Sequence, residues 1–149
     1  MKTKQKQSIE IIIVNYNSQF WLKKTLSTLK EFYLDHTKNE VIVTVVDNGS
    51  TDDSLKMVNR EFRWVKIIKL KENFGFAVAN NAALRQTTAK YVMLLNSDVE
   101  FTQKSNLDHL LEFLEEKPKV GIITPRLEFT NGEIDPACHR GEPTIWAAF

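Results

Sequence analysis

The sequence has one cysteine, Cys138, among 149 residues, so no disulfide can close within the chain. A lone thiol fits a reducing compartment, and a cytoplasmic protein is expected. An excess of charge of either sign is also lacking. The formal net charge is +1, which leaves no basic field to attract nucleic acid. No apolar run approaches the roughly 20 residues that cross a bilayer. Met1 to Ser8 is polar, and Ile9 to Val14 is short and interrupted by Glu10, so a signal-peptide core is absent. Residues 1–8, with Lys2, Lys4 and Lys6, are expected to form a flexible N-terminus.

Several catalytic motifs are missing too. No G-x-G-x-x-G follows the first apolar run, which argues against a dinucleotide cofactor. No P-loop and no G-x-S-x-G elbow occurs. His36, His109 and His139 lack the spacing of metal ligands.

What is present is an alternation of strand and helix signals. Ile9–Val14, Val41–Val46, Val65–Leu70, Tyr91–Leu95 and Val120–Thr124 read as strands, rich in β-branched residues. Helical spacing covers about 19–34, with Ser18 as its cap and Leu22, Leu26, Leu29 and Tyr33 facing inward. Further helices are expected over 53–62, 77–86 and 107–116. Such alternation implies an α/β fold: a mostly parallel sheet with helices on both faces, three layers deep. Tyr91–Leu95 carries no charge and reads as a strand buried on both faces. After Pro125 the alternation stops. Asn131-Gly132 marks a short hairpin between Leu127–Phe129 and Glu133–Ile134. The apolar end Trp146–Phe149 suggests either a cut from something longer or packing on a partner.

Polar residues gather after the strands. Asn15, Tyr16 and Asn17 follow the first, Asp47, Asn48 and Ser50 the second, Asn73 and Gly75 the third, Asn96, Ser97 and Asp98 the fourth. In a parallel sheet these four loops share one edge, where ligands bind. Amides and carboxylates to read a base, a ring to stack on it and an acid to hold a cation on phosphates together suit a nucleotide. Each piece has a plainer reading as well. Asn96 to Asp98 could cap the next helix, and Asp47, Ser50 and Asp52 could form only a turn. Asn80 and Asn81 lie in a predicted helix, where Asn is a poor former, so two together point to a local need.

Four segments carry a resemblance: Val14-Asn15-Tyr16-Asn17, Val46 to Asp52, Asn73-Phe74-Gly75-Phe76-Ala77 with Asn80-Asn81, and Leu94 to Asp98. In this order the chain resembles the nucleotide-binding half of a family-two glycosyltransferase of the GT-A fold, over about Ile9 to Pro125. The variant forms are similar to the rhamnosyltransferase-like branch, which implies a deoxythymidine-diphosphate sugar such as dTDP-rhamnose. The resemblance implies that Asn15, Tyr16 and Asn17 border the base and ribose, and that Asp47 and Asn48 include the group that reads the base. It implies that Gly75 lets the backbone pass close to the nucleotide, and that Asn80 and Asn81 face the diphosphate or sugar. Asp98 matches the last acid of the DXD motif and would bind Mg²⁺ or Mn²⁺. Asn96 departs from that motif by replacing an acid with an amide, and Ser97 stands between the two. A divalent ion there would neutralise charge on the leaving diphosphate.

The resemblance also implies an acceptor, a saccharide or a lipid-linked one, and a peripheral membrane association of the full enzyme is compatible with it. An inverting transferase needs a base to take the acceptor proton. Glu128, Glu133, Asp135 and Glu142 are available after Thr124, but none stands in a matching context. The expected organisation is a donor-binding core over 9–125 and a truncated start of an acceptor-side region over 126–149. The rival from another class is a non-catalytic nucleotide-binding or interaction domain of the same fold.

Overall fold

The structure, a computed structural model, describes residues 7–138. The expectations for Lys2, Lys4, Lys6, His139, Glu142 and the apolar end at Trp146 lie outside them. The chain divides after Asp108 into two compact units.

The first unit holds four parallel strands: β1 (Ser8–Asn15), β2 (Glu40–Asp47), β3 (Lys66–Lys69) and β4 (Tyr91–Asn96). Their order is β3-β2-β1-β4. Between them run α1 (Gln19–Leu29), α2 (Ser54–Glu61) and α3 (Phe76–Leu84), and α4 (Leu107–Glu116) follows β4. The parallel α/β sheet read from the sequence is therefore observed, with boundaries moved by one or two residues.

Ile11, Ile12 and Ile13 are all fully buried. Successive strand residues point to opposite faces, so both faces of β1 must be covered. On one face, Ala79 and Ala83 of α3 pack on Ile12 and Val46. The small alanines let the helix approach the sheet closely. On the other, α1 brings Leu22, Leu26 and Leu29, and α2 brings Met57 and Val58, all buried. Each such side chain contributes roughly 1.5–3 kcal/mol of burial.

Three expectations fail here. The helix expected over 19–34 is α-helical only to Leu29 and continues as a π-helix over Lys30–Leu34. The amide of Asp35 reaches back to the Lys30 carbonyl at 3.1 Å, a wider turn. Ser18 does not cap α1 with its side chain, because that hydroxyl bonds elsewhere. β4 is not buried on both faces: Leu95 is 5% exposed but Leu94 is 50% exposed. It lies at the sheet edge beside β1 alone, and α3 covers β1 and β2.

Described by itself, the second unit contains no regular strand among the described residues. Val120–Thr124 was expected as a fifth strand and forms none; Ile122 is 91% exposed. A strand's backbone groups need a partner strand, and this run has none among the described residues. The Asn131-Gly132 turn does form, with Phe129 N–H bonded to the Glu133 carbonyl at 2.7 Å and a single antiparallel bridge from Glu128 to Ile134.

Candidate functional site

The C-terminal ends of β1, β2 and β4 bring three loops side by side, and the loop after β3 joins them. They enclose a cleft of about 330 Å³, lined by Val14, Tyr16, Ser18, Asn48, Asn73, Phe76, Asn96, Ser97 and Asp98. Every one of the four predicted loops contributes. Tyr16 and Phe76 are about half exposed and present two rings. Asp98 is the only carboxylate on the lining, and it is exposed.

The expected site residues separate into those that line the cleft and those that build it. Tyr16, Asn48, Asn96, Ser97 and Asp98 line it. Asn15 and Asp47 do not: both are fully buried behind it. Asn15 Nδ2 donates to Asp47 Oδ1 at 3.2 Å and to Ser50 Oγ at 3.1 Å. The Ser50 amide donates to Asp47 Oδ2 at 3.2 Å. These bonds satisfy a carboxylate that burial would otherwise penalise. Asn17 takes a left-handed φ of 49°, which Asn tolerates. Its Oδ1 accepts the amides of Thr51 at 2.8 Å and Asp52 at 3.3 Å, so it clamps the loop after β2.

Asn48 has two tasks. Its Nδ2 donates to Asn73 Oδ1 at 2.8 Å, and its Oδ1 accepts the Phe74 amide at 3.0 Å. Asn73 Oδ1 also accepts the Gly75 amide at 2.9 Å. The pair clasps the loop that carries Phe76. Gly49 makes the approach possible: at φ 80°, a Cβ there would meet the Glu72 Cα at 2.5 Å. Gly75 has another reason to be glycine. A Cβ on it would meet nothing within 4 Å, but its φ of 85° with ψ of 163° is essentially closed to other residues. The crowding at Gly49 is against the protein's own Glu72 backbone, whereas the space beside Gly75 is open.

Asn80 and Asn81 do not reach the cleft lining. Asn80 shares the inner face of α3 with Ala79 and Ala83, is 4% exposed, and donates Nδ2 to the Phe76 carbonyl at 3.0 Å. Its Oδ1 is buried with no partner among the described residues. Asn81 points to solvent. Four lining residues were not assigned ligand contacts in the sequence: Val14, Ser18, Asn73 and Phe76. Their signal was position alone: each lies at a strand end or in the loop or first turn beyond one.

Helix ends complete the electrostatics. The Gln19 amide at the start of α1 donates to Asp52 Oδ2 at 3.1 Å. Partial burial raises the Asp52 carboxyl, but hydrogen bonds from Ser54 and from the Gln19 amide outweigh it and hold it below its ordinary value. The start of α3 has no side-chain cap, and its first turn, which contributes Phe76 to the lining, has amides without helical partners, a suitable place for an anion. No group of three His, Cys, Asp or Glu side chains gathers among the described residues. A divalent cation in this cleft would have Asp98 as its one carboxylate ligand from the lining and would need its remaining oxygens from a bound phosphate and water, a pattern magnesium tolerates.

The family model for glycosyl transferase family 2 matches residues 10–139. The chain is similar to the putative teichuronic acid biosynthesis glycosyltransferase TuaG of Bacillus subtilis, with 30% identity over 118 residues, 77% of this chain and 45% of that protein. It is 27% identical over 130 residues to the poly-beta-1,6-N-acetyl-D-glucosamine synthase of Staphylococcus epidermidis, covering 83% of this chain and 30% of that one. It thus spans less than half the length of these relatives. Among solved structures, S. aureus TarS 1-349 aligns with a TM-score of 0.63 and 28% identity, over 73% of this chain and 32% of that one. The mannosyltransferase PcManGT of Pyrobaculum calidifontis, in complex with GDP-Man and Mn2+, shares the fold at TM-score 0.66 and 24% identity, over 74% and 33% of the two chains. With the family's model spanning nearly all the described residues, this chain belongs to glycosyl transferase family 2.

Proposed function

We propose that the cleft binds the nucleoside-diphosphate part of a sugar donor, and that the full enzyme transfers that sugar to a saccharide or lipid-linked acceptor with inversion. The carrying observation is the convergence of four strand-end loops on two rings, a pair of clasped amides and one exposed carboxylate. Tyr16 and Phe76 offer faces for a base, Asn48 and Asn73 offer amide edges, and the start of α3 offers N–H groups to the diphosphate. Asp98 would hold Mg²⁺ or Mn²⁺ against the phosphates. When bound, that ion would stabilise charge on the leaving diphosphate. TarS has been solved in complex with UDP-GlcNAc, over 84% of this chain at TM-score 0.64 and 24% identity, which supports a nucleotide sugar as the ligand class. The sugar most in keeping with the motif variants is dTDP-rhamnose.

The same lining argues that the cleft's residues do not finish the reaction alone. Asp98 is the only carboxylate there, and a carboxylate neutralised by a cation is a poor base. The acceptor proton is therefore taken by a group outside the cleft lining. A thermal-shift panel tests the binding claim. A pyrimidine nucleoside diphosphate with Mn²⁺ should raise the melting temperature, because a ligand that binds only the folded state stabilises it. An unchanged melting temperature across uridine, thymidine and guanosine diphosphates, each with metal, would sink it.

A further inference from the structure

A chain of hydrogen bonds with a single donor direction runs across the sheet edge beneath the cleft. It passes Ser97 Oγ, Ser18 Oγ, Asn15 and Asp47, from the loop after β4 to the end of β2. The Ser97 and Ser18 hydroxyls are 2.9 Å apart, Ser18 Oγ is 2.9 Å from Asn15 Oδ1, and Asn15 Nδ2 is 3.2 Å from Asp47 Oδ1. Asp47 is fully buried, and its carboxylate can only accept. That fixes the Asn15 amide: its NH₂ must face Asp47, so its oxygen faces Ser18. An amide oxygen also only accepts, so Ser18 must donate to it. Ser18 has a single hydroxyl proton, now committed. Between the two serines, Ser97 is therefore the donor. Ser97 has then used its only proton inside the protein and meets the cleft with lone pairs alone. Thr25 Oγ donates to the Ser97 carbonyl at 2.8 Å and holds the same turn from α1.

We infer that Asp47 is a positioning residue that acts through Asn15 and Ser18 to fix the Ser97–Asp98 turn, and that Ser97 Oγ serves the cleft as an acceptor for a donor group of the ligand. This rests on the nucleotide reading of the cleft. It differs from a direct role for Asp47 at the base, since Asp47 is closed off by Asn15 and the Ser50 amide. Asp47→Asn would place an NH₂ among donors. The Asn15 amide would turn over, each bond of the chain would reverse, and Ser97 would offer a proton where it had offered a lone pair.

The test is a double-substitution cycle read as the affinity for UDP with Mn²⁺, measured by calorimetry on the whole chain. Ser97→Ala and Asp47→Asn should each weaken binding about fivefold, the scale of one hydrogen bond. The double variant should be no weaker than either single one. A purely structural role for Asp47 would instead let the losses multiply, as they do for separated and independent sites. Ser18→Ala cuts the chain in the middle without disturbing the buried carboxylate. It should match Ser97→Ala in affinity with only a modest fall in melting temperature, from the Asn15 oxygen left without its donor, and it decides the matter if Asp47→Asn does not fold. Wild-type affinity in Ser18→Ala, or multiplied losses in the cycle, overturns the inference and leaves the nucleotide reading standing. Failure of the wild-type chain to bind any nucleoside diphosphate overturns both.

Discussion

The two ends of the sheet use the same side chains for opposite purposes. At the C-terminal end, Asp98 stands at the cleft rim with no hydrogen bond to the described residues, beside exposed Asn96. At the N-terminal end, Asp108 Oδ1 accepts from Tyr33 Oη at 2.8 Å, Thr37 Oγ at 2.7 Å and Asn39 Nδ2 at 3.0 Å. Asn39 in turn accepts the Gln7 amide at 2.9 Å, just ahead of β1. Burial, and then the neighbouring Asp108, push the Tyr33 phenol well above its ordinary value, so it remains a donor at any physiological pH. One carboxylate is used up by the protein; the other is left for something else. A carboxylate at the ligand-binding edge of a parallel sheet that the protein does not satisfy is a better pointer to function than its residue type.

The largest effects should come from removing these two acids, and they should not resemble each other. Asp108→Ala leaves three donors without their acceptor, at a cost of about 3 kcal/mol in stability. That corresponds to a fall of about 10 °C in melting temperature for a chain of this size. Nucleotide affinity at the distant edge should stay within twofold once the protein is folded. Asp98→Ala should reverse the pattern: an unchanged melting temperature without ligand, and at least a tenfold loss of Mn²⁺-dependent nucleotide affinity. Equal losses of stability in the two variants would mean that the contrast between the edges is false.

Gly49→Ala probes the next level, the clasp between the loops after β2 and β3. The new Cβ must displace the Glu72 backbone, 2.5 Å away, and sits at a φ of 80°. Roughly 1–2 kcal/mol is lost to the backbone conformation alone. The Asn48–Asn73 bond should open with the displacement, so calorimetry should show weaker nucleotide binding together with lower stability. Gly75→Ala carries the φ strain without the collision, so its stability loss should be the smaller of the two. If Gly75→Ala proves the more destabilising, the collision at Glu72 is not what selects glycine at 49.

Most of the scaffold was legible because its signals were local. The β-branched runs of β1 and β2, the leucine spacing of α1 and the polar residues after each strand are all printed in consecutive residues. The four loops follow directly once the sheet is parallel. The errors share one cause, which is that partners are not local. The composition of Val120–Thr124 says strand, but a strand also needs a neighbour. Tyr91–Leu95 has no charge, yet its position at the sheet edge, beyond the reach of α3, leaves Leu94 in the open. Within the site, residue type pointed to the right loops but not to depth. Asn15 and Asn48 are both amides just past strand ends; one lies behind the cleft wall and the other on it, and only the fold distinguishes them. Asn is a poor helix former, and the local need that two of them suggested is partly visible at Asn80, whose Nδ2 bonds its own helix at the Phe76 carbonyl.

The smallest expected effect concerns a third acid that is neither sealed in nor free. Asp52 ties the loop after β2 to the start of α1 through the Gln19 amide, and also accepts the Ser54 amide at 3.0 Å. Its carboxyl is lowered in the folded chain. The unfolded chain, with an ordinary value of about 3.9, therefore takes up the proton first as pH falls. Stability from this group is fully present above that value and drains away as pH drops through the lower folded one. The group is exposed, so the contribution is modest and weakens with salt. Melting temperatures of the wild type and Asp52→Asn, measured from pH 6 to pH 3 at low ionic strength, isolate it from the other carboxylates. The wild-type advantage should be constant down to about pH 4.5 and shrink below that. An advantage that grows as the pH falls would have the wrong sign. It would show that Asp52 is held protonated, and that the α1 end of the cleft is not the charged, occupied helix terminus that leaves α3 as the place for an anion.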